Sequence, residues 1–130
     1  MQTSLKRHLR NPRFWQIALA CYWLTLFVFT HLPIKRPELQ GGKTDKVAHV
    51  AAFAVLGALL AITWQTSAGR LTARHLVWAW IALILYAGFE EITQPIVGRY
   101  CSIWDWSADA VGAALGLIIF ACVGIKKHSH

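Results

Sequence analysis

Acidic residues are scarce in this sequence, with only six among 130 residues. They are Glu38, Asp45, Glu90, Glu91, Asp105 and Asp109. The charged fraction is 15%, whereas a soluble domain usually carries about 25% charged residues. Apolar residues make up 56% of the chain and cluster in long runs instead of recurring at amphipathic spacing. This composition argues against a soluble core and for a single membrane domain.

Cysteine and the sequence signatures of common enzymes are also scarce. The three cysteines, Cys21, Cys101 and Cys122, form no CxxC pair and no zinc-ligand spacing, so a disulfide framework is excluded. We interpret them as small apolar fillers and one incidental loop thiol. The chain has no nucleophile elbow, P-loop or recognised phosphatase signature. Neither an enzymatic activity nor a cofactor is therefore assigned from the sequence.

Positive charge is abundant, and the formal net charge is +7. Such a charge is typical of nucleic-acid binding. Here, however, the basic residues lie at the ends of the apolar runs, where membrane topology explains them. We expect no nucleic-acid partner. The first apolar run follows a basic segment like a signal peptide, but its length and the lack of a cleavage site predict an uncleaved span.

Four apolar runs are long enough to cross a bilayer, which takes about 20 helical residues. They extend over Phe14–Leu32, Lys46–Trp64, Leu76–Gln94 and Ile103–Ile125. All four prolines lie outside these runs, where they do least harm to a helix. The sequence thus predicts an all-α membrane protein, a four-transmembrane-helix bundle. Its domain is residues 14–125, with a basic tail at 1–13 and a short tail at 126–130.

The distribution of Lys and Arg predicts an orientation. The two tails and the second connection carry eight of these residues and no acidic residue, whereas the other side carries five, diluted by acids. The positive-inside rule then places both termini in the cytoplasm.

Polar residues from three separate segments converge on one face of the membrane in this topology. They are Asp45, Lys46 and His49 of the second run, Glu91 and Gln94 of the third, Arg99 of the turn, and Asp105 and Asp109 of the fourth. Ionisable groups at the edge of a hydrocarbon layer are costly, so their presence is a functional hypothesis by default. In the predicted orientation the site faces outward.

Helical spacing predicts where two of these carboxylates point. Asp105, Asp109, Gly112 and Gly116 follow one another at intervals of four, three and four, which gives one stripe. Gly112 and Gly116 form a GxxxG motif, which allows two helix backbones to approach closely in a bilayer. We expect the two glycines to face a neighbouring helix and the two aspartates to point into the bundle with them.

The order and spacing of these residues resemble the VanZ-like family of bacterial membrane proteins over about residues 30 to 118. The motifs are Asp45-Lys46-x-x-His49-x-x-x-Phe53, Glu91-x-x-Gln94 followed by Gly98-Arg99, and Asp105-x-x-x-Asp109-x-x-Gly112-x-x-x-Gly116. Two departures concern the site, because the family usually has Asn at the position of Asp109 and often Tyr at that of Phe53. The resemblance implies a small multi-pass protein of the bacterial cytoplasmic (inner) membrane. The family is named after a protein linked to teicoplanin resistance, and it has no settled biochemical activity.

Structural roles compete with functional ones for several of these residues. Asp45 also fits a helix N-cap, and Ser102-x-x-Asp105 fits a capping box. Arg99 either holds an anion or forms an ion pair with Glu91 or Asp105.

Four further residues have alternatives of the same kind. Lys46 either contributes to the site or only extends to the interface. Glu90, about 100° from Glu91 on a helix, would extend to the interface or pair with a lysine. Gln94 is alternatively a polar helix end, and His31 either joins the site or is interfacial.

Our first functional hypothesis is a site for an anionic lipid or a lipid-linked cell-envelope precursor. Substrate-binding residues would be Asp45, Lys46, Gln94, Arg99 and Asp109, with Lys46 and Arg99 holding phosphate. Hypothetical catalytic residues are His49, Glu91 and Asp105, since His beside carboxylates suits acid–base chemistry. No metal site is assigned, although His49 with the carboxylates could instead hold a divalent cation.

Two other hypotheses come from different classes. In one, the charges form a buried ion-pair network that fixes a structural module, which binds an envelope-protein partner or a second copy of itself. In the other, the protein is a small transporter or proton relay. Against a relay, the polar residues lie on one side only.

Overall fold

Four helices make up the described part of the chain. The structure, a computed structural model, describes residues 10–33 and 42–126, the last three as backbone only. The helices are α1 (Pro12–Thr30), α2 (Lys43–Ala68), α3 (Ala73–Thr93) and α4 (Ile103–Lys126), with a 3₁₀ turn at Gln94–Val97 between the last two. No strand occurs in these residues. All four helices are long and apolar enough to span a membrane, which confirms the predicted all-α, four-span fold.

Helices α1, α2 and α3 begin a few residues before the apolar runs. Asn11 caps α1, its side chain accepting a hydrogen bond from the backbone N–H of Arg13 at 3.0 Å. Pro12, predicted to lie outside the span, is instead the first residue of α1. A proline is tolerated there because the first-turn N–H groups have no partner within the helix. The N-cap of α2 is Gly42, which places Asp45 inside the first turn. The N-cap interpretation of Asp45 is therefore wrong.

The closest packing in the bundle is between α2 and α4. Gly112 lies against the backbone of Val50, and Gly116 lies against that of Ala54, so closely that a Cβ on either glycine would overlap the facing carbonyl. A stripe of small residues permits this approach of two helix backbones. The packing fixes how α2 and α4 are rotated and shifted relative to each other.

A small apolar core lies between α2, α3 and α4. Its fully buried members are Phe53, Leu56, Ala61, Leu83, Ala87, Ala113 and Leu117. Large apolar side chains also cover the outside of the bundle; Leu24, Leu85 and Ile92, for example, are 66%, 69% and 74% exposed. A soluble monomer rarely exposes apolar surface on this scale, whereas lipid chains would cover it in a bilayer.

Candidate functional site

The polar residues of three helices meet at one end of the bundle, where α2 and α4 begin and α3 ends. We call this the polar end, and its members are Asp45, Lys46, His49, Glu91, Gln94, Asp105 and Asp109. Four of them are almost completely removed from solvent: Glu91, Gln94, Asp105 and Asp109, at 3%, 2%, 6% and 1% exposure. The structure thus gathers residues that are up to 64 positions apart in the sequence.

Two polar pairs connect α2 to α4 at this end. The Lys46 ammonium lies 3.1 Å from Asp105 Oδ1. One turn deeper, His49 Nδ1 lies 2.8 Å from Asp109 Oδ1. The outer pair is partly hydrated, because 36% of the Lys46 side chain is exposed, but the Asp109 side chain is only 1% exposed. The inner pair is therefore the one on which a change of charge should have the greater effect.

The start of α4 shows why the carboxylates of Glu91 and Asp105 hold different partners. Ser102 Oγ accepts a hydrogen bond from the backbone N–H of Asp105 at 3.3 Å, one half of a capping box. In a complete capping box the backbone N–H of Ser102 would donate to the Asp105 side chain, but here it donates to Glu91 Oε2 at 2.7 Å. Asp105 is thereby left to bind Lys46, and the capping-box interpretation holds for only one of its two hydrogen bonds.

Four buried polar atoms around this end have no hydrogen-bond partner among the described residues. They are Glu91 Oε1, Asp109 Oδ2, Gln94 Nε2 and Arg99 Nε. Buried polar groups in folded proteins are nearly always hydrogen-bonded, so each exception requires an explanation. Two of these atoms are carboxylate oxygens and two are N–H donors. The set would be complemented by a ligand that brings positive charge to the oxygens and acceptors to the nitrogens.

Arg99 is positioned by the turn that precedes it. Gly98 adopts a left-handed conformation with φ of 79°, which ends the 3₁₀ turn. The Arg99 side chain then reaches the start of the first connection, and Nη1 lies 3.5 Å from the carbonyl oxygen of Leu32. Among the described residues Arg99 forms no ion pair with Glu91 or Asp105, so the predicted locking pair is not found.

Glu90 contradicts the expectation that it extends to the interface or pairs with a lysine. It is only 1% exposed. Its Oε1 accepts a hydrogen bond from Thr30 Oγ1 at 3.0 Å and another from the hydroxyl of Tyr86. The rotation of about 100° between neighbouring helical residues turns Glu90 towards α1 and Glu91 towards α4. The four-residue spacing of Tyr86 and Glu90 was the signal that could have identified this contact.

His31 belongs to the same α1–α3 contact. Its Nε2 lies 2.8 Å from Thr93 Oγ1, and its Nδ1 lies 2.9 Å from the carbonyl oxygen of Phe27. Its ring also stacks on that of Phe27. His31 therefore connects the ends of α1 and α3, and among the described residues it forms no hydrogen bond with His49 or its carboxylate partners.

Two groups of side chains at the polar end have metal-ligand geometry, and both include His49. One is Asp45, His49 and Asp105, and the other is His49, Glu91 and Asp109; within each group the ligand atoms lie within 4.8 Å of one another. The sequence had indicated only that His49 and the carboxylates could hold a divalent cation. It did not separate these two groups, because their members come from different helices and have no diagnostic spacing.

Comparisons with known proteins agree with the fold and the motifs. No curated protein and no solved structure matches the chain. A family model described as VanZ/LLP1 matches residues 3–124, and thus the described part of every helix almost to the end of α4. The chain therefore belongs to the VanZ/LLP1 family of membrane proteins, as its motifs had indicated.

Proposed function

We propose that the polar end binds the phosphate-bearing headgroup of an anionic lipid or of a lipid-linked cell-envelope precursor. The observation that carries this proposal is the pair of buried N–H donors without an acceptor, Gln94 Nε2 and Arg99 Nε. A guanidinium is well suited to phosphate oxygens, and an N–H next to a phosphate forms a strong, charge-assisted bond.

Two further features support an anionic ligand at this end. Lys46 is only partly buried, with 36% of its side chain accessible, so its ammonium can be shared with a phosphate. The N-termini of α2 and α4 both lie here, and helix N-termini carry partial positive charge that favours anions.

The surroundings of the polar end favour a lipid as the source of the phosphate. The adjoining surface is apolar, and Ile92, Ile96 and Ile103 are 74%, 83% and 63% exposed. Acyl or isoprenoid chains could contact this surface while the headgroup occupies the polar end. A lipid-linked precursor would also accord with the link to teicoplanin resistance of the protein after which the family is named.

We place the polar end on the outer face of the bacterial cytoplasmic membrane, with both termini inside. The support is the excess of Lys and Arg at the opposite end of the helices. We propose binding of the headgroup, and the test described next also looks for its chemical modification. His49, hydrogen-bonded to Asp109, is arranged as a general acid or base requires.

The test is native mass spectrometry of the purified protein, wild type beside Arg99→Ala. The matched control is Arg74→Ala, which removes an arginine at the opposite end, in the first turn of α3. We expect a retained anionic lipid in wild type and Arg74→Ala, and its loss in Arg99→Ala with an unchanged folded fraction. The mass of the lipid distinguishes a phospholipid from a lipid-linked precursor, and a shifted mass after incubation would reveal modification. Equal retention in folded Arg99→Ala, or none in wild type, would overturn the proposal.

A structural module with a protein partner is the second candidate, because Lys46–Asp105 and His49–Asp109 both connect α2 to α4. Removing one partner of a buried charge pair is strongly destabilising. If the polar end serves only stability, Asp105→Asn and Glu91→Gln should lower the folded yield without a separate loss of lipid. If it is a binding site, Glu91→Gln should fold normally.

A transporter or proton relay is the third candidate. It would need titratable side chains beyond the polar end along the bundle. Past Asp109, α4 offers no acidic residue or histidine, and between His75 and Tyr86 α3 is apolar. We therefore rank this function below the other two.

A further inference from the structure

We propose that His49, Glu91 and Asp109 bind a divalent first-row transition-metal ion at the inner part of the polar end. The three residues come from α2, α3 and α4, and one potential ligand atom of each lies within 4.8 Å of the other two. Metal–nitrogen and metal–oxygen bonds of about 2.0–2.2 Å bring neighbouring ligand atoms closer than this. Small side-chain rotations would close the set around an ion.

The unpartnered carboxylate oxygens are an independent sign of a cation. Glu91 Oε1 and Asp109 Oδ2 are buried without a partner, on residues that are 3% and 1% exposed. Glu91 Oε2 is already held by the backbone N–H of Ser102 at 2.7 Å, and a supporting hydrogen bond of this kind orients a metal-binding carboxylate. Asp109 Oδ1 lies 2.8 Å from Nδ1 of His49, so two members of the group are already adjacent. A buried carboxylate oxygen without a partner is costly, and a cation would satisfy both.

The other group, which consists of Asp45, His49 and Asp105, is less suited to a divalent ion. Asp105 Oδ1 is bonded to the Lys46 ammonium at 3.1 Å, so positive charge is already supplied there and would repel a divalent ion. No Lys or Arg among the described residues forms an ion pair with Glu91 or Asp109. Two carboxylates, a neutral imidazole and one divalent cation would also balance in charge, which a low-dielectric environment favours.

The donor set indicates the class of ion. Ca²⁺ and Mg²⁺ prefer sites made of oxygen ligands alone. Imidazole suits zinc and iron, whereas carboxylates also suit manganese. A set of one imidazole and two carboxylates therefore favours a transition metal, and Mn²⁺ and Zn²⁺ are the probes that we would use.

The role that we give to the ion rests on the proposed function, whereas the binding of the ion does not. Bound at the inner end, the ion would give positive charge to a phosphate oxygen of the proposed headgroup, while Gln94 and Arg99 donate to the others. Binding of the ion itself is independent of the lipid, and it can be measured in delipidated protein.

The experiment titrates Mn²⁺ into purified, chelator-treated protein in detergent and measures the free ion by electron paramagnetic resonance. The wild-type reference and all variants also carry His128→Ala and His130→Ala, so that the histidines of the C-terminal tail do not contribute. Wild type should bind one ion per chain. Affinity should fall by about tenfold or more in Glu91→Gln and Asp109→Asn. The comparison variant, Asp45→Asn, removes a carboxylate that belongs only to the other group and lies 4.0 Å from His49, and it should lower the affinity far less than Glu91→Gln. Thermal unfolding of each variant reports folding.

A second measurement does not depend on the variants. X-ray absorption of the Zn²⁺-loaded protein in the same background should show one imidazole and oxygen ligands. The inference is overturned if wild type binds no ion, if Asp45→Asn weakens binding as much as Glu91→Gln, or if the spectrum contains no imidazole. Failure of metal binding with lipid retention intact would reject the ion and leave the proposed function standing. Metal binding without any retained lipid would support the ion and reject the proposed lipid-binding function.

Discussion

His49 Nδ1 lies 2.8 Å from Asp109 Oδ1, and this contact connects α2 to α4 one turn inside the polar end. Both partners are largely buried, with side-chain exposures of 10% and 1%. Asp109 thus places a carboxylate beside the imidazole, where an amide would form a neutral hydrogen bond. Together with Glu91 it gives the inner part of the polar end two buried carboxylates.

Removal of the acceptor should be far more damaging than removal of its charge. Asp109→Asn retains an oxygen that can accept from His49, whereas Asp109→Ala leaves the imidazole without that partner. We expect Asp109→Ala to lower the free energy of unfolding by about 1–3 kcal/mol, the cost of a buried polar group left without its partner, and Asp109→Asn to have a much smaller effect. Denaturant titration in mixed micelles measures both. Equal losses in the two variants would show that the charge, and not the hydrogen bond, matters for stability.

The close approach of α2 and α4 predicts a strict requirement for glycine. A Cβ at Gly116 would overlap the backbone of Ala54, so Gly116→Ala should force the helices apart and cost about 1–3 kcal/mol. The control is Gly42→Ala, because a Cβ at Gly42 would have no atom within 4 Å. Thermal unfolding of the two variants in detergent is the comparison. A Gly116→Ala protein as stable as Gly42→Ala would contradict the packing.

The burial of Glu90 predicts a role for a tyrosine that the motifs do not include. Tyr86→Phe removes one of the two hydroxyl donors to Glu90 and preserves the ring that packs on Trp23. Loss of a hydrogen bond to a buried polar group costs about 1–3 kcal/mol, and we expect a destabilisation in this range. Glu90→Gln, which keeps an acceptor for both hydroxyls, should be less destabilised. The measurement is the free energy of unfolding of each variant. A Tyr86→Phe protein as stable as wild type would show that the hydrogen bond from Thr30 alone is enough to stabilise buried Glu90.

The outer pair should contribute little to stability. Because 36% of the Lys46 side chain is exposed, water screens its attraction to Asp105, and a double-mutant cycle with Lys46→Gln and Asp105→Asn should give a coupling of about 0.2–1 kcal/mol. A small coupling is what a lysine shared with a ligand requires. A much larger value would favour the structural network over the binding site.

The proposed orientation can be tested with a natural cysteine. Cys101 is exposed between the 3₁₀ turn and α4, next to the polar end, whereas Cys21 and Cys122 lie within α1 and α4. A membrane-impermeant maleimide should label intact cells at Cys101, and Cys101→Ser should abolish the labelling. Labelling only after the membrane is opened would place the polar end in the cytoplasm.

Much of this molecule could be predicted from local patterns in the sequence. The four apolar runs determined the number of spans, because the hydrophobic length needed to cross a bilayer is a local property. The spacing of Gly112 and Gly116 indicated a close helix contact, and the same stripe placed Asp105 and Asp109 on one face. Alternation of span directions then brought the polar residues to one end, whichever way the protein is oriented.

Only the tertiary structure decided which polar atoms meet. The rotation of α3 turns Glu90 to Thr30 and Glu91 to Ser102. The contact of Gly112 with Val50 sets the register that aligns His49 with Asp109. Each helix can rotate about its own axis and slide without changing its local pattern, so such pairings depend on how the helices pack. For the same reason, the unpartnered oxygens of Glu91 and Asp109, on which the metal site rests, could not be read from the sequence.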